Sequence, residues 1–208
     1  NLEKIESLKS TFSEIEKLHK SEESNALSNV NIELIRGFNK HRQEKFIELL
    51  KSAKDEILFM IRLEGYVSEE IDANAKNFIK NGGVIKSIYE ANLNFKIIKD
   101  NSRKDATLED LLRICGKFEK YGEKVRISES ELPNITIFDK KIVFINILDK
   151  TVPRHNNADI IINNESFANR MMDLFNYYWN SSKLIRELKN TNGHVSSKKI
   201  NYNKTIKP

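Results

Sequence analysis

Five consecutive apolar residues, Ile57-Leu58-Phe59-Met60-Ile61, stand between a charged lead, Lys54-Asp55-Glu56, and Arg62. A strand with no polar residue on either side of its pleat must be covered on both faces. The chain therefore has to build a sheet with a layer above it and a layer below. The flanking sequence supplies those layers. Asn39 to Asp55 puts Phe46, Leu49, Leu50 and Ala53 on one helical face; Ser68 to Lys80, with Ser68 as N-cap, turns Ile71, Ala75, Phe78 and Ile79 inward before Gly82 and Gly83 close it. "VIKSIYE" is the next strand. Thr107 and Asp110 then open a helix in the manner of a capping box, Leu108, Leu111, Leu112, Cys115 and Phe118 share its apolar face, Gly122 stops it, and "KVRISES" is a third strand. Helix alternating with strand at this spacing predicts an α/β domain built on a mixed, mostly parallel sheet with helices on its faces.

After Pro133 the rhythm becomes strand and strand. "ITIFD", a two-lysine turn and "KIVFINIL" form a hairpin; "ADIIINN" adds a strand, and Ser166 to Ser182 a last helix with Phe167, Met171, Leu174, Phe175, Tyr178 and Trp179 on its apolar face. The domain so read spans residues 30–187. Beyond it, residues 188–208 hold no acid and five lysines, so the net charge of +5, from 35 basic and 30 acidic residues, belongs to this tail and the rest sums to zero. The tail reads as a basic disordered end rather than a nucleic-acid surface, since it has no aromatic ladder beyond Tyr202.

At the other end, Leu2, Ile5, Leu8, Phe12, Ile15 and Leu18 recur at steps of three and four among Lys, Glu and Ser. So narrow a seam needs a partner: its own domain, or a second chain in a coiled coil over residues 1–24, which the narrowness favours and which makes a homodimer the expected state. No start methionine or signal peptide precedes the seam, so the chain is expected to be part of something longer. A single cysteine permits no internal disulfide and suggests a reducing, cytoplasmic setting. The longest apolar run, "ILFMI", is far short of the roughly 20 residues that a bilayer requires, so no membrane partner is expected.

The hairpin carries the chemical question. In the phospholipase D superfamily the catalytic signature is His-x-Lys-x-x-x-x-Asp, set on a hairpin of this kind. Counting back from Asp139, the lysine position holds Asn134 and the histidine position Leu132. Leucine has no nucleophilic atom and asparagine no charge to offset a phosphoryl oxyanion, which excludes that mechanism here. None of His19, His41, His155 and His194 begins the required spacing, and with one cysteine they form no zinc set. Catalytic residues, metal and cofactor are all expected to be absent.

Taken in order, "NIELIRGFNKHRQEKFIELLKSAKDEILFMI", "KVRISESELP", "ITIFDKKIVFI" and "DIIINNESFANRMMDLFNYYWNSS" resemble the effector domain of TrmB-like transcriptional regulators, whose C-terminal domain is phospholipase D-like without the catalytic residues. The resemblance covers about residues 1–187 and rests on order and spacing. It implies a dimeric, ligand-sensing domain that meets operator DNA only through a winged-helix domain upstream, which this chain lacks. Sugars are the implied ligands, although arginines would also suit an anion.

Ligands of open parallel sheets sit beyond the carboxyl ends of the strands, where Arg62, Glu64, Tyr89, Glu90 and Ser128 fall, with Arg126 and Glu129 along the third strand. Arg62 is either a hook for a ligand or half of a structural ion pair with a neighbour such as Glu90. Asp139 is a remnant of the ancestral site or plain turn chemistry. Arg154, with His155 in "TVPRHNNAD", lines the site or a solvated loop. Cys115 belongs to the core, and Tyr178 and Trp179 pack the last helix or stack on a sugar. Two rival readings stand beside the ligand-sensing regulator: a hydrolase with displaced catalytic groups, centred on His155, and a structural or protein-interaction module, either a dimerisation domain or the sensor of a signalling protein.

Overall fold

The structure, a computed structural model, describes residues 31–36, 40–63, 69–91, 95–99, 102–147 and 158–191. The seam, Leu2 to Leu18, lies outside the described residues, as do Glu64, Arg154 and His155. The elements in chain order are β1 (Asn31–Arg36), α1 (Lys40–Ser52), β2 (Glu56–Ile61), α2 (Glu69–Lys80), β3 (Val84–Glu90), β4 (Lys96–Lys99), β5 (Ser102–Asp105), α3 (Leu108–Lys120), β6 (Lys124–Ser128), β7 (Ile135–Phe138), β8 (Ile142–Ile147), β9 (Ala158–Asn163), α4 (Glu165–Ser181) and α5 (Ile185–Thr191).

Seven strands form one sheet in the order β1-β9-β8-β7-β2-β3-β6, and β4 pairs with β5 in a separate ribbon. The apolar run is the strand β2, and its alternation does what its sequence demands. Ile57 and Phe59 face α1 and α2, where they pack with Leu49, Leu50 and Phe78; Leu58 and Met60 face α4, with Ala168 and Phe175. On the first face a further cluster joins Tyr89, Val125 and Ile127 to Leu111, Leu112, Cys115 and Phe118 of α3, and to Ile185 and Leu188 of α5. Burial pushes the Cys115 thiol far above its ordinary range.

The α/β fold with helices on both faces is present, but "mostly parallel" needs correcting. Only β2-β3 and β3-β6 run parallel, while β1-β9, β9-β8, β8-β7 and β7-β2 run antiparallel. The reason is connection length. Helical crossovers join β2, β3 and β6, whereas β7 and β8 are joined by only three residues, Asp139 to Lys141, that can only reverse the chain. β1 occupies a stretch of the domain for which the sequence predicts no element, and α5 carries buried Leu188 past residue 187.

Local chemistry explains the turns. The Thr107 and Asp110 capping box is present. Gly82 takes φ 96°, and a Cβ on Gly83 would lie 2.4 Å from the Phe78 ring, so that turn needs both glycines. Asp139 and Lys140 have φ 49° and 58°, the left-handed pair of a tight hairpin turn closed by the Lys141 N–H on the Phe138 carbonyl. The Asp139 carboxylate accepts the backbone N–H groups of Lys54, Asp55 and Glu56 at 2.8–3.0 Å, pinning the α1-β2 loop to the hairpin. Asp139→Gly keeps the backbone freedom and removes the acceptor. It is expected to cost about 1–3 kcal/mol in chemical denaturation, from three amides left without their partner.

Candidate ligand site at the carboxyl end of the sheet

Strand register sets a row of polar residues across the sheet at one level. Asp159 on β9 lies opposite Asn146 on β8, and the Asn146 N–H reaches the carbonyl of Asn134, just ahead of β7. On the far side Arg62 directly follows β2, and Glu90 on β3 lies opposite Ser128 on β6. Each position lies within one residue of the end of its strand on the same edge, where the apolar pattern gives way to polar side chains.

Hydrogen bonds join the row. Arg42 of α1 pairs with Asp159 at 2.5 Å; Asp159 accepts from Asn146, Asn146 from Asn134 at 3.0 Å, and the Asn134 amide oxygen from the Arg62 backbone N–H at 3.1 Å. The Arg62 guanidinium then contacts Glu90 at 3.2 Å and Glu131 at 2.8 Å, and Glu90 also accepts the Leu132 N–H at 2.9 Å. The chain of bonds thus runs from α1 on one face, past β7, to Glu90 on the face of α4.

Burial sets the electrostatics. Asp159 is 1% exposed; burial pushes its carboxyl above the usual range against the opposing pull of Asn146 and Arg42. Burial also opposes the Arg62 charge, but Glu90 and Glu131 outweigh it and hold the guanidinium above its ordinary value. Among the described members, two arginines face three carboxylates.

Of the residues expected from sequence, Arg62, Glu90 and Ser128 come together. The ion pair of Arg62 with Glu90 is present, and the Ser128 hydroxyl bonds locally to Ser130. Tyr89 does not join them. Neighbours along a strand point to opposite faces, so its ring stacks on Phe118 while its hydroxyl donates to buried Glu123 at 2.8 Å. Nor does Asp139, which sits at the far end of β2, where its N–H bonds the Glu56 carbonyl. Arg126 caps the end of α4, donating to the carbonyls of Trp179 and Ser182 with its guanidinium over the Trp179 ring, and Glu129 pairs with Lys183. Arg42, Asn146 and Asp159 escaped the sequence reading, although an acid inside "ADIIIN" is a visible exception to its strand. Among the described residues, no group of three or more His, Cys, Asp or Glu stands ready to hold a metal, and no helix is long and apolar enough to cross a membrane.

The Asp159 shift has a testable sign. Its folded carboxyl takes up a proton at higher pH than the unfolded chain does, so its contribution to stability is full below the ordinary value of 3.8 and falls as pH rises through the folded value. Urea denaturation of wild type and Asp159→Asn across pH is expected to show the wild type losing ground to the variant in the interval just above 3.8, and a level difference beyond it.

No protein-family model and no curated protein matches the chain. Solved structures do match. TrmBL2, an archaeal chromatin protein with a novel mode of DNA binding, aligns over 88% of this chain and 67% of its own, with a TM-score of 0.54 and 17% identity. Nuc, a phospholipase D family member from Salmonella typhimurium, aligns over 74% of this chain and 97% of its own, with a TM-score of 0.52 and 15% identity. NucT from Helicobacter pylori gives 74%, 98%, 0.52 and 15%. The chain has the phospholipase D-like fold, a fold shared by a DNA-binding chromatin protein and by a member of the phospholipase D family.

Proposed function

We propose that this chain is a non-catalytic, ligand-sensing domain of a transcriptional regulator. One observation carries the reading. Where a phospholipase D-like enzyme sets its histidine and lysine, this chain has buried Leu132, whose N–H is held by Glu90, and Asn134, whose amide is bonded on both sides. At these two positions a phosphoryl group would meet neither nucleophile nor lysine, and the described neighbours Glu90 and Glu131 are carboxylates. The likeness to TrmBL2 supports placing such a domain in a DNA-binding protein.

The same row suits a small polar ligand. Amides and paired carboxylates offer donors and acceptors in alternation, which fits a hydroxyl-rich molecule such as a sugar better than an anion, because Arg62 already faces two acids. Binding acts by favouring one arrangement of the domain over another, and operator DNA feels it through a DNA-binding domain elsewhere in the protein. Operator half-sites are read in pairs, so the regulator works as a homodimer.

Native mass spectrometry of the purified protein, gentle enough to keep small molecules bound, is the direct test. The expected result is a discrete added mass that disappears in Glu90→Gln, with no hydrolysis of bis(4-nitrophenyl) phosphate. Turnover of that substrate that is lost in His155→Ala would replace the sensor with a hydrolase, and a bare chain would favour the interaction module.

A further inference from the structure

The two acids that hold Arg62 differ in kind. Glu90, which Nε contacts at 3.2 Å, is as buried as the arginine, the two side chains being 10% and 8% exposed. Glu131, which takes Nη2 at 2.8 Å, is 77% exposed. Glu90 is fixed from a second side, because its carboxylate also accepts the Leu132 N–H at 2.9 Å. For Glu131, Arg62 is the one polar partner among the described residues. An ion pair with one member so open to water is weak: water competes for the carboxylate, and the side chain regains rotamer freedom on release. The backbone beneath Glu131 is pinned on both sides. Ser130 exchanges two hydrogen bonds of 3.1 Å with the Ser128 hydroxyl, and buried Leu132 is held by Glu90. Glu131 can therefore turn out into solvent by side-chain rotation alone, a fast motion that leaves the connection from β6 to β7 in place.

We propose that Glu131 is the gate of the ligand site: its carboxylate stands in for a ligand oxygen on Arg62 Nη2, and a ligand enters by displacing it. The gate rests on the reading of this row as a ligand site, and it adds what the site selects. When Glu131 leaves, Arg62 and Glu90 remain as a balanced pair. A neutral oxygen, such as that of a hydroxyl, then accepts from Nη2 with no change in local charge. A carboxylate or phosphate in the same place would crowd a third negative group around one guanidinium, since Glu90 is held by its strand and by Leu132 and the displaced Glu131 stays tethered nearby. Glu131 thus turns the site against anions, a repulsive element beside the attractive one. It also lowers the affinity of every ligand by the fraction of time the gate is shut.

Phenylglyoxal, which adds to accessible guanidinium groups, reads the gate in the whole chain without any ligand. The rate at Arg62 is followed by peptide mass mapping, relative to Arg113, whose side chain is 67% exposed. In Glu131→Ala, Arg62 is expected to react about fivefold faster than in the wild type, the most that an exposed pair is worth. Glu129→Ala removes the neighbouring exposed carboxylate, which pairs with Lys183, and is expected to leave the rate unchanged. Acetate, compared with chloride at the same ionic strength, is expected to protect Arg62 in Glu131→Ala, where it takes the vacated place, and not in the wild type. Three outcomes each overturn the gate: a rate at Arg62 that Glu131→Ala leaves unmoved or Glu129→Ala raises equally, no protection by acetate in Glu131→Ala, or equal protection by acetate in the wild type. Native mass spectrometry judges the sensor separately. A bound mass with an unmoved Arg62 removes the gate and keeps the sensor, and a bare chain with the expected rates does the reverse.

Discussion

Everything in this fold depends on β2 being apolar on both sides. Its two faces commit the chain to helices above and below, because Ile57 and Phe59 on one side and Leu58 and Met60 on the other leave no edge that water can reach. Burying each such side chain stabilises by roughly 1.5–3 kcal/mol. The same constraint positions the site. A strand held so tightly has one register with β3 and one with β7, and those registers bring Arg62, Glu90 and Asn134 to a single level at its end.

The half of the fold with helical crossovers was legible in the sequence, and the half with short returns was not. Capping signals and 3.6-residue periodicity are local, so the Thr107 and Asp110 box and the faces of α1, α2 and α3 could be read directly. Strand direction is not local. The hairpin of β7 and β8 was visible, but its insertion beside β2, which turns a parallel sheet into a predominantly antiparallel one, is decided by packing between residues some 80 positions apart. β1 was missed although Ile32, Glu33 and Leu34 alternate: six residues make a short run, and Ile32 and Leu34, which such a pattern would bury, are exposed.

The site was legible to a similar extent. Arg62 and Glu90 stood out as charges at strand ends, and their pairing was one of two readings that the sequence left open. Tyr89 and Glu90 are adjacent in sequence and looked equivalent, yet the pleat sends one into the α3 core and the other to Arg62. Asn134 was noticed only as a missing lysine. Its new role needs Asn146 and Asp159, which come from strands whose order the sequence does not reveal.

That new role is coherent physical chemistry. A half-buried position with no donor would leave neighbouring acceptors unpaired, and a half-satisfied polar group inside a fold is costlier than an apolar one. Here asparagine donates to Asn146 and accepts from the Arg62 backbone, so the row is closed from Arg42 to Glu90. Closure ties the row to β9 through Asp159. Strand β9 alternates Asp159, bonded into the row, with Ile160 on the opposite face, and β1 is paired along its length with β9. A ligand that replaced the Asn146 bond to Asp159 would bear on β9 and, through its pairing, on β1. Its effect there is bounded by the difference in its affinity for the two arrangements of that strand.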